Sequence, residues 1–557
     1  MKLENSFLIL ILLFTIVSQC RGGFDSLENE FFKENGGEPN EIIVSDYCIL
    51  GAGTTGSVLA SKLADTGKGI LLVEEGPWAL DPGIWNAPNW SEWLRKTPDP
   101  VIIKIFNGKP QQSLNNRTLS STRGKVIGGC NSVNAMVVMG GSSSDYQEIS
   151  RLSENSYLTW ENAKEALEDV QNHYSLYRLP NNRILFPEMR QALESLGYLY
   201  NNETLKNGRI RGSYNDRVYM MKFHPDTNNA TRQTSFSQYV ERDIVHKRNL
   251  RVLSGERAVK IHFTKRDGKL IVKGVLLENV GITKSTYVRI KKELIVSMGA
   301  IETPKWLQLN GIGDRNYIES IGIKSVLHSP EVGKGFREDM YCGYFGRPLS
   351  DKYKNTTIPH RSSVHDGFHV YGPPDNNSTK STSSEYILNY DVAQQGFLCH
   401  FESTRMGSEG YIRITDKDRK KDPEISIDIM NNRENLLTYA KALKECRILE
   451  KKLVILGVLS NSTYGPSIPS DTESMGDYIE YIRNKASYAS HPCCTVRMGG
   501  ANSSSPIDSR FKLRGTENLR VIDASVLPSP VSGNPNIPLV VLATQAAKSI
   551  VDERVDF

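Results

Sequence analysis

Asp46-Tyr47-Cys48-Ile49-Leu50-Gly51-Ala52-Gly53-Thr54-Thr55-Gly56, answered by Ile70-Leu71-Leu72-Val73-Glu74-Glu75-Gly76, spells a strand, a glycine turn, a helix start and a second strand. The first apolar run predicts a buried strand ending at Gly51, where freedom at positive φ permits a tight turn. Gly53 lets backbone approach a pyrophosphate, and Gly56 lets the helix pack closely on the strand. The helix, predicted from Thr55 to about Thr66, aims its first N–H groups at the phosphates, with Thr54 and Thr55 at the turn. Glu74, about 20 residues beyond Gly51, closes the second strand where a ribose hydroxyl is read. A turn without a ligand is the competing reading of a lone glycine motif. Here strands, helix and acid are all in register, which favours dinucleotide binding.

The chain has 557 residues, 39% of them hydrophobic and 24% charged, long enough for two domains with separate cores. Its net charge of +5 is spread over mixed Lys, Arg, Asp and Glu, so nucleic acid is not an expected partner. Lys2, an apolar run from Phe7 to Val17 and the small or polar residues after it predict a cleaved signal peptide over residues 1–22. That run is shorter than the roughly 20 apolar residues of a membrane span, and no later segment is long enough. A secreted, extracellular protein with no membrane span is expected, with an uncleaved anchor as the alternative. Asn-X-Ser/Thr sequons at Asn89, Asn116, Asn202, Asn229, Asn355, Asn376, Asn377, Asn461 and Asn502 agree with passage through the secretory pathway.

Of eight cysteines, Cys20 leaves with the signal peptide. The odd remainder and wide spacing argue against a disulfide framework, and no Cys/His group has zinc spacing, so no metal is expected. Cys48 takes the place of a small hydrophobe in the first strand. The adjacent Cys493 and Cys494 invite a redox reading, but vicinal disulfides are rare. Further along, Trp160 to Val170 has apolar residues at helical spacing, and Gly410 to Thr415 alternates as a half-buried strand. No helix is expected between 330 and Arg433.

Four further segments complete the pattern: Arg123-Gly124-Lys125-Val126-Ile127-Gly128-Gly129-Cys130-Asn131-Ser132-Val133-Asn134; Gly299 to Pro304 running on to Gly311-Ile312-Gly313; His491-Pro492-Cys493-Cys494-Thr495-Val496-Arg497-Met498-Gly499; and Asn518 to Pro528 followed by Ser532-Gly533-Asn534-Pro535-Asn536. With the opening motif they resemble, in order, the glucose-methanol-choline (GMC) family of FAD-dependent oxidoreductases over nearly the whole mature chain. Trp306 and Asn310 depart from the second signature, and Cys494 stands where the family usually has Gly. These departures are read as pocket or packing variation.

The resemblance implies an α/β fold (α+β overall): a Rossmann-like FAD-binding domain from 41–145, 231–329 and 480–557, and a discontinuous sheet-plus-helices substrate domain from 146–230 and 330–479. It implies cofactor contacts at Gly51, Gly53, Thr54, Thr55, Gly56, Glu74, Arg123, Gly128, Asn131 and Asn134, and at Val259, which meets adenine through its backbone. Asp523 and Ala524 are expected at the diphosphate and ribityl region, although Asp523 also suits a turn or cap. FAD is expected to be noncovalent, because Val133 stands where some relatives carry the linking histidine.

His491 matches the family's catalytic histidine, and a neutral imidazole is a suitable acceptor for a hydroxyl proton near neutral pH. Asn534 matches the second active-site position and hydrogen-bonds without titrating. The competing reading of His491 is a satisfied core histidine. The expected function is oxidation of a small, aromatic alcohol or a cyanohydrin, with hydride to the flavin and oxygen reduced to peroxide. Similarity to arthropod defence-related members makes mandelonitrile the first substrate to consider. Alternatives are a hydroxynitrile lyase with non-redox FAD, a sugar or alcohol dehydrogenase, and a noncatalytic flavin-binding protein.

Overall fold

The strand Glu41–Leu50 lies at the centre of a seven-stranded sheet because its apolar run is buried on both faces, as in a parallel sheet covered by helices. On one side Ile70–Glu74 pairs with it in parallel, and Leu250–Ser254 pairs in parallel with Ile70–Glu74. Ser285–Val296 and then Leu519–Val521 continue the parallel sheet on the other. Lys269–Asn279 and Glu256–Arg266 extend it antiparallel. The helix Thr54–Ala64 starts one residue before the expected position and packs with the last helix, Asn536–Asp552, on the sheet. Arg520, buried between Glu293 (2.7 Å) and Glu553 (2.8 Å), ties the C-terminal strand and helix to this core.

This computed structural model describes residues 26–87, 93–94, 99–178, 185–203, 205, 208, 210–227, 229–244, 246–354, 368–372, 386–393, 396–403, 407–461 and 474–553. The expected signal peptide and the sequons at Asn89, Asn355, Asn376 and Asn377 lie outside the described residues.

A second seven-stranded sheet forms the cap. Its order is Ser487–Tyr488, Met340–Phe345, Gly396–Ser403, Tyr386–Ala393, Phe368–Tyr371, Ser213–Asp216 and Leu199–Tyr200. Phe368, Val370, Cys399 and Phe401 face a core built with the helices Phe186–Ser195, Arg433–Ile455 and Met475–Lys485. The long helix begins at Arg433, and among the described residues no α-helix lies between Ser320 and it.

The expected domain boundaries need correction at two places. The helices Ser143–Ser153 and Trp160–His173, assigned to the cap by the 146–230 block, bury Ile149, Ala166, Leu167 and Val170 in the dinucleotide domain's core. Conversely, Ser487–Tyr488 pairs with Met340–Tyr341 in the cap sheet, and the helix Met475–Lys485 belongs to the cap core, so the cap extends past 480. Amphipathic spacing shows that a helix has a buried face. It does not show which core that face joins.

Cys399 and Cys446 form a disulfide that fastens the cap sheet to its long helix; Cys48, Cys130, Cys342, Cys493 and Cys494 are free thiols. Replacing Cys399 and Cys446 by Ser releases a constraint spanning 47 residues, which costs about 4 kcal/mol in chain-entropy terms. Urea unfolding followed by circular dichroism should show a lower midpoint, and an unchanged midpoint would deny the crosslink a stabilising role.

Candidate active site

Gly51 has φ +105°, and a Cβ there would lie 2.3 Å from the Ser297 carbonyl oxygen. A Cβ on Gly56 would lie 1.9 Å from the Gly51 carbonyl oxygen, so helix and strand are as close as the sequence predicts. Gly128 and Gly129 bring the second glycine loop against the first: the Gly128 N–H donates to the Ala52 carbonyl at 2.9 Å, and a Cβ on Gly129 would lie 2.9 Å from Gly53 Cα. Between these loops opens a cavity of about 810 Å³.

Gly51, Gly53, Thr54, Thr55, Glu74, Arg123, Val259, Asp523 and Ala524, all expected at the cofactor, line this cavity. Gly56, Gly128, Asn131 and Asn134 stand behind its wall and shape it. Glu74 accepts from Ala52 N–H (3.0 Å) and Gly76 N–H (2.9 Å), and burial pushes its carboxyl up to about 7. It therefore holds the turn as well as facing the groove. Asp523 is a cap residue: its carboxylate accepts from Gly299 N–H (2.9 Å), Thr303 Oγ1 (2.6 Å) and Ser525 N–H (2.7 Å). That explains its position without the cofactor, while Ala524 beside it borders the groove. Thr54 Oγ1 donates to Asn536 Oδ1 at 2.9 Å, joining the turn to the last helix.

Val259 occupies a break in register between Ala258 and Lys260, so the neighbouring strand leaves it unmatched. The two departures in the second signature hold this feature in place. Trp306 Nε1 donates to the Ala258 carbonyl at 2.8 Å, and Asn310 Oδ1 accepts from Ile261 N–H at 2.9 Å, on either side of Val259. The departure at Cys494 also has a local reason: it has φ +70°, the left-handed region that favours glycine. Its sulfur lies 2.9 Å from that of Cys493, unbonded.

His491 stands where the two domains meet, its side chain 10% exposed. Asn534 Nδ2 lies 3.1 Å from Nε2, bringing together the two residues expected to do the chemistry. Sequence reasoning missed the other supports. Asp339 Oδ2 lies 3.3 Å from Nδ1, and the His491 N–H donates to Glu338, whose buried carboxyl is pushed well above the ordinary glutamate range. Arg123, expected at the cofactor, also donates from Nη1 to the Ser490 carbonyl at 2.8 Å, and Ser490 itself has φ +64°. Consecutive acids at Glu338 and Asp339 form no motif; only the strand that follows, Met340–Phe345, brings them to the histidine.

These contacts specify one tautomer: Nδ1–H donates to Asp339, and Nε2 presents its lone pair beside Asn534. Burial lowers the imidazole's pKa below its ordinary 6.5, outweighing the Glu402 carboxylate that favours the charged ring; Arg123 pulls in the same direction as burial. The ring is neutral at pH 7.

Glu402 lies opposite Tyr341 across the cap sheet, on the face turned away from the helices. His400, two residues earlier, stacks on Tyr341 with ring centroids 4.9 Å apart, and burial with Arg217 nearby pushes its pKa down to about 3. Tyr371 and Ile387 continue the same face and pack on Met139 from the segment after the second glycine loop. The cap thus presents aromatic rings on the same face as Glu402, whose carboxylate acts on His491.

The profile of the GMC oxidoreductase family matches residues 45–340, and its C-terminal part matches 407–543. The chain belongs to the GMC oxidoreductase family. It is similar to an alcohol dehydrogenase [acceptor] of Pseudomonas putida, 27% identical over 91% of this chain and 95% of the relative. An oxygen-dependent choline dehydrogenase of Staphylococcus xylosus is also 27% identical, over 91% of this chain and 94% of its own. Among solved structures, pyridoxine 4-oxidase from Mesorbium loti superposes with a TM-score of 0.77 at 20% identity, over 91% of this chain and 99% of that one. A fungal aryl-alcohol oxidase gives 0.73 at 19% identity, over 92% and 99%. The GMC family is FAD-binding and acts on alcohols, and the chain is an FAD-dependent oxidoreductase of that kind.

The residues present fit FAD. Two glycine loops form a groove of dinucleotide size, and behind the second loop Asn131 Nδ2 and Arg232 Nη2 are buried without a hydrogen-bond partner among the described residues.

Because Nε2 must be unprotonated to accept a proton, flavin reduction by an alcohol should rise with pH along an acid limb centred below 6.5 and stay level above it. Anaerobic stopped-flow reduction across pH measures this. A limb centred at or above 6.5 would contradict the burial effect.

Proposed function

We propose that this GMC oxidoreductase is a secreted oxidase of a small, aromatic alcohol or cyanohydrin, with mandelonitrile the leading substrate, noncovalent FAD, and oxygen as the acceptor that yields hydrogen peroxide. The observation that carries the proposal is a buried, neutral His491 paired with Asn534 at 3.1 Å, with the ring stack of Tyr341 and His400 on the same cap-sheet face as Glu402, whose charge acts on His491.

Bound FAD supplies the acceptor for hydride from the substrate carbon. The Gly51–Gly56 turn and the Gly128–Gly129 loop hold the cofactor, and their close contact keeps water from the inner wall. A substrate hydroxyl within reach of both Nε2 and Asn534 gives its proton to Nε2 while the Asn534 amide N–H donates to its oxygen. The imidazolium so formed is stabilised at Nδ1 by Asp339. Loss of the proton and hydride leaves a carbonyl product. The flat rings of Tyr341 and His400 suit an aromatic substrate by stacking.

The aryl-alcohol and pyridoxine oxidases among the structural neighbours support an aromatic alcohol with oxygen as acceptor. Secretion is supported by the Cys399–Cys446 disulfide, which belongs in an oxidising compartment, and by the exposed positions of Asn116, Asn202, Asn229, Asn461 and Asn502. Noncovalent attachment is supported by Val133, which has no group to form a bond to the ring. Acid precipitation of the yellow protein should leave flavin in the supernatant. Flavin retained in the pellet would show a covalent link elsewhere.

His491→Ala should keep its FAD and lose about 10² to 10⁴ in the rate of flavin reduction, with a smaller loss for Asn534→Ala. An unchanged rate in His491→Ala would remove the base. With mandelonitrile, benzyl alcohol and glucose as probes, oxygen uptake and peroxide release are expected for the aromatic pair. Cleavage of mandelonitrile to benzaldehyde and cyanide without flavin bleaching would establish the lyase instead. Bleaching without oxygen consumption would establish a dehydrogenase.

A further inference from the structure

Arg232 ends the strand Asn229–Arg232 and is 1% exposed. Its Nε donates to the Ile84 carbonyl at 2.8 Å, and Nη1 donates to the Asn131 carbonyl at 3.1 Å and to Asn134 Oδ1 at 2.9 Å. All three acceptors are neutral. Nη2 is buried with no partner, and no carboxylate among the described residues acts on the guanidinium, whose pKa falls to about 9 through burial alone.

A buried cation without a counter-charge is costly, and folds that keep one pair it with an anion. Arg520, buried to the same degree, has two carboxylates. Arg232 instead grips the loop that carries Gly129 and Cys130 in the cofactor groove, bonding the residues on either side of Val133. Asn131, which it holds, has its own unpartnered Nδ2. Two unsatisfied donors and one unpaired charge therefore lie behind the same stretch of groove wall.

We propose that Arg232 is the counter-charge of the flavin: it supplies the fixed positive charge that favours the negative charge the ring acquires when it accepts a hydride. This rests on the binding of FAD in the groove with its ring against the loop around Val133, the position where the family resemblance implies a linking histidine in some relatives. A cation near the ring makes the oxidised flavin more electrophilic and raises its potential. Because Arg232 is walled off from solvent, water screens that charge little. It is a positioning and electrostatic group and touches no substrate.

The test compares Arg232→Met with Arg232→Lys at pH 6, the acid side, which favours protonation of the introduced lysine. Both variants lose the forked hydrogen bonds, but only the first loses the charge. The readouts are the flavin midpoint potential and the affinity for sulfite, whose adduct with the oxidised ring leaves a negative charge on it. Arg232→Met should have a lower potential and bind sulfite more weakly by on the order of tenfold, with Arg232→Lys close to the parent. If Arg232→Met fails to retain FAD while Arg232→Lys retains it with a parent-like potential, the counter-charge role is also supported. Parent-like values in Arg232→Met, or the same loss in both variants, would overturn it and leave Arg232 a brace of the loop. A colourless parent protein would overturn FAD binding itself, a separate failure read before any variant is made.

Discussion

His491 is held where the two domains meet by four groups from distant parts of the chain. Arg123 fixes the carbonyl before it, Glu338 its amide, Asp339 its Nδ1 and Asn534 its Nε2. Burial among them keeps the ring neutral, and a neutral ring is useful only with its lone pair at Nε2. Asp339 supplies that orientation by accepting at the opposite nitrogen. The acids stand at the start of the cap strand Met340–Phe345, so the cap cannot be placed without also placing the base. Cap architecture and proton chemistry are one constraint.

The groove depends on a second kind of closeness, backbone against backbone. Gly56 meets Gly51, and Gly129 meets Gly53, at separations that exclude any side chain. These contacts let a phosphate approach the start of the helix Thr54–Ala64 without an intervening side chain. On the adenine side, Trp306 and Asn310 fasten the second signature's helix to the bulged strand around Val259. Their departure from the family pattern builds a clamp.

The dinucleotide unit was legible because its glycines, apolar runs and Glu74 are close in sequence and each has a steric or hydrogen-bonding reason. His491 and Asn534 were legible through local motifs, and the structure brings them within 3.1 Å. Asp339, Glu338 and Glu402 were not, because their importance arises from strand pairing across long separations: Tyr341 opposite Glu402, and Met340 opposite Tyr488. Arg232 was missed for the same reason. Its meaning lies in the absence of a partner, which no sequence displays. The helix Trp160–His173 showed its amphipathic spacing, but the choice of core depended on the C-terminal helix that packs on it.

The central claim is that His491 is held as a neutral imidazole with its proton on Nδ1 and its lone pair on Nε2. Long-range proton–nitrogen correlation NMR of histidine-labelled holoenzyme at pH 7, with His491 assigned by its loss in His491→Ala, reads this directly. The account predicts a protonated Nδ1 and an unprotonated Nε2. A ring protonated at both nitrogens, or one with its proton on Nε2, would contradict it.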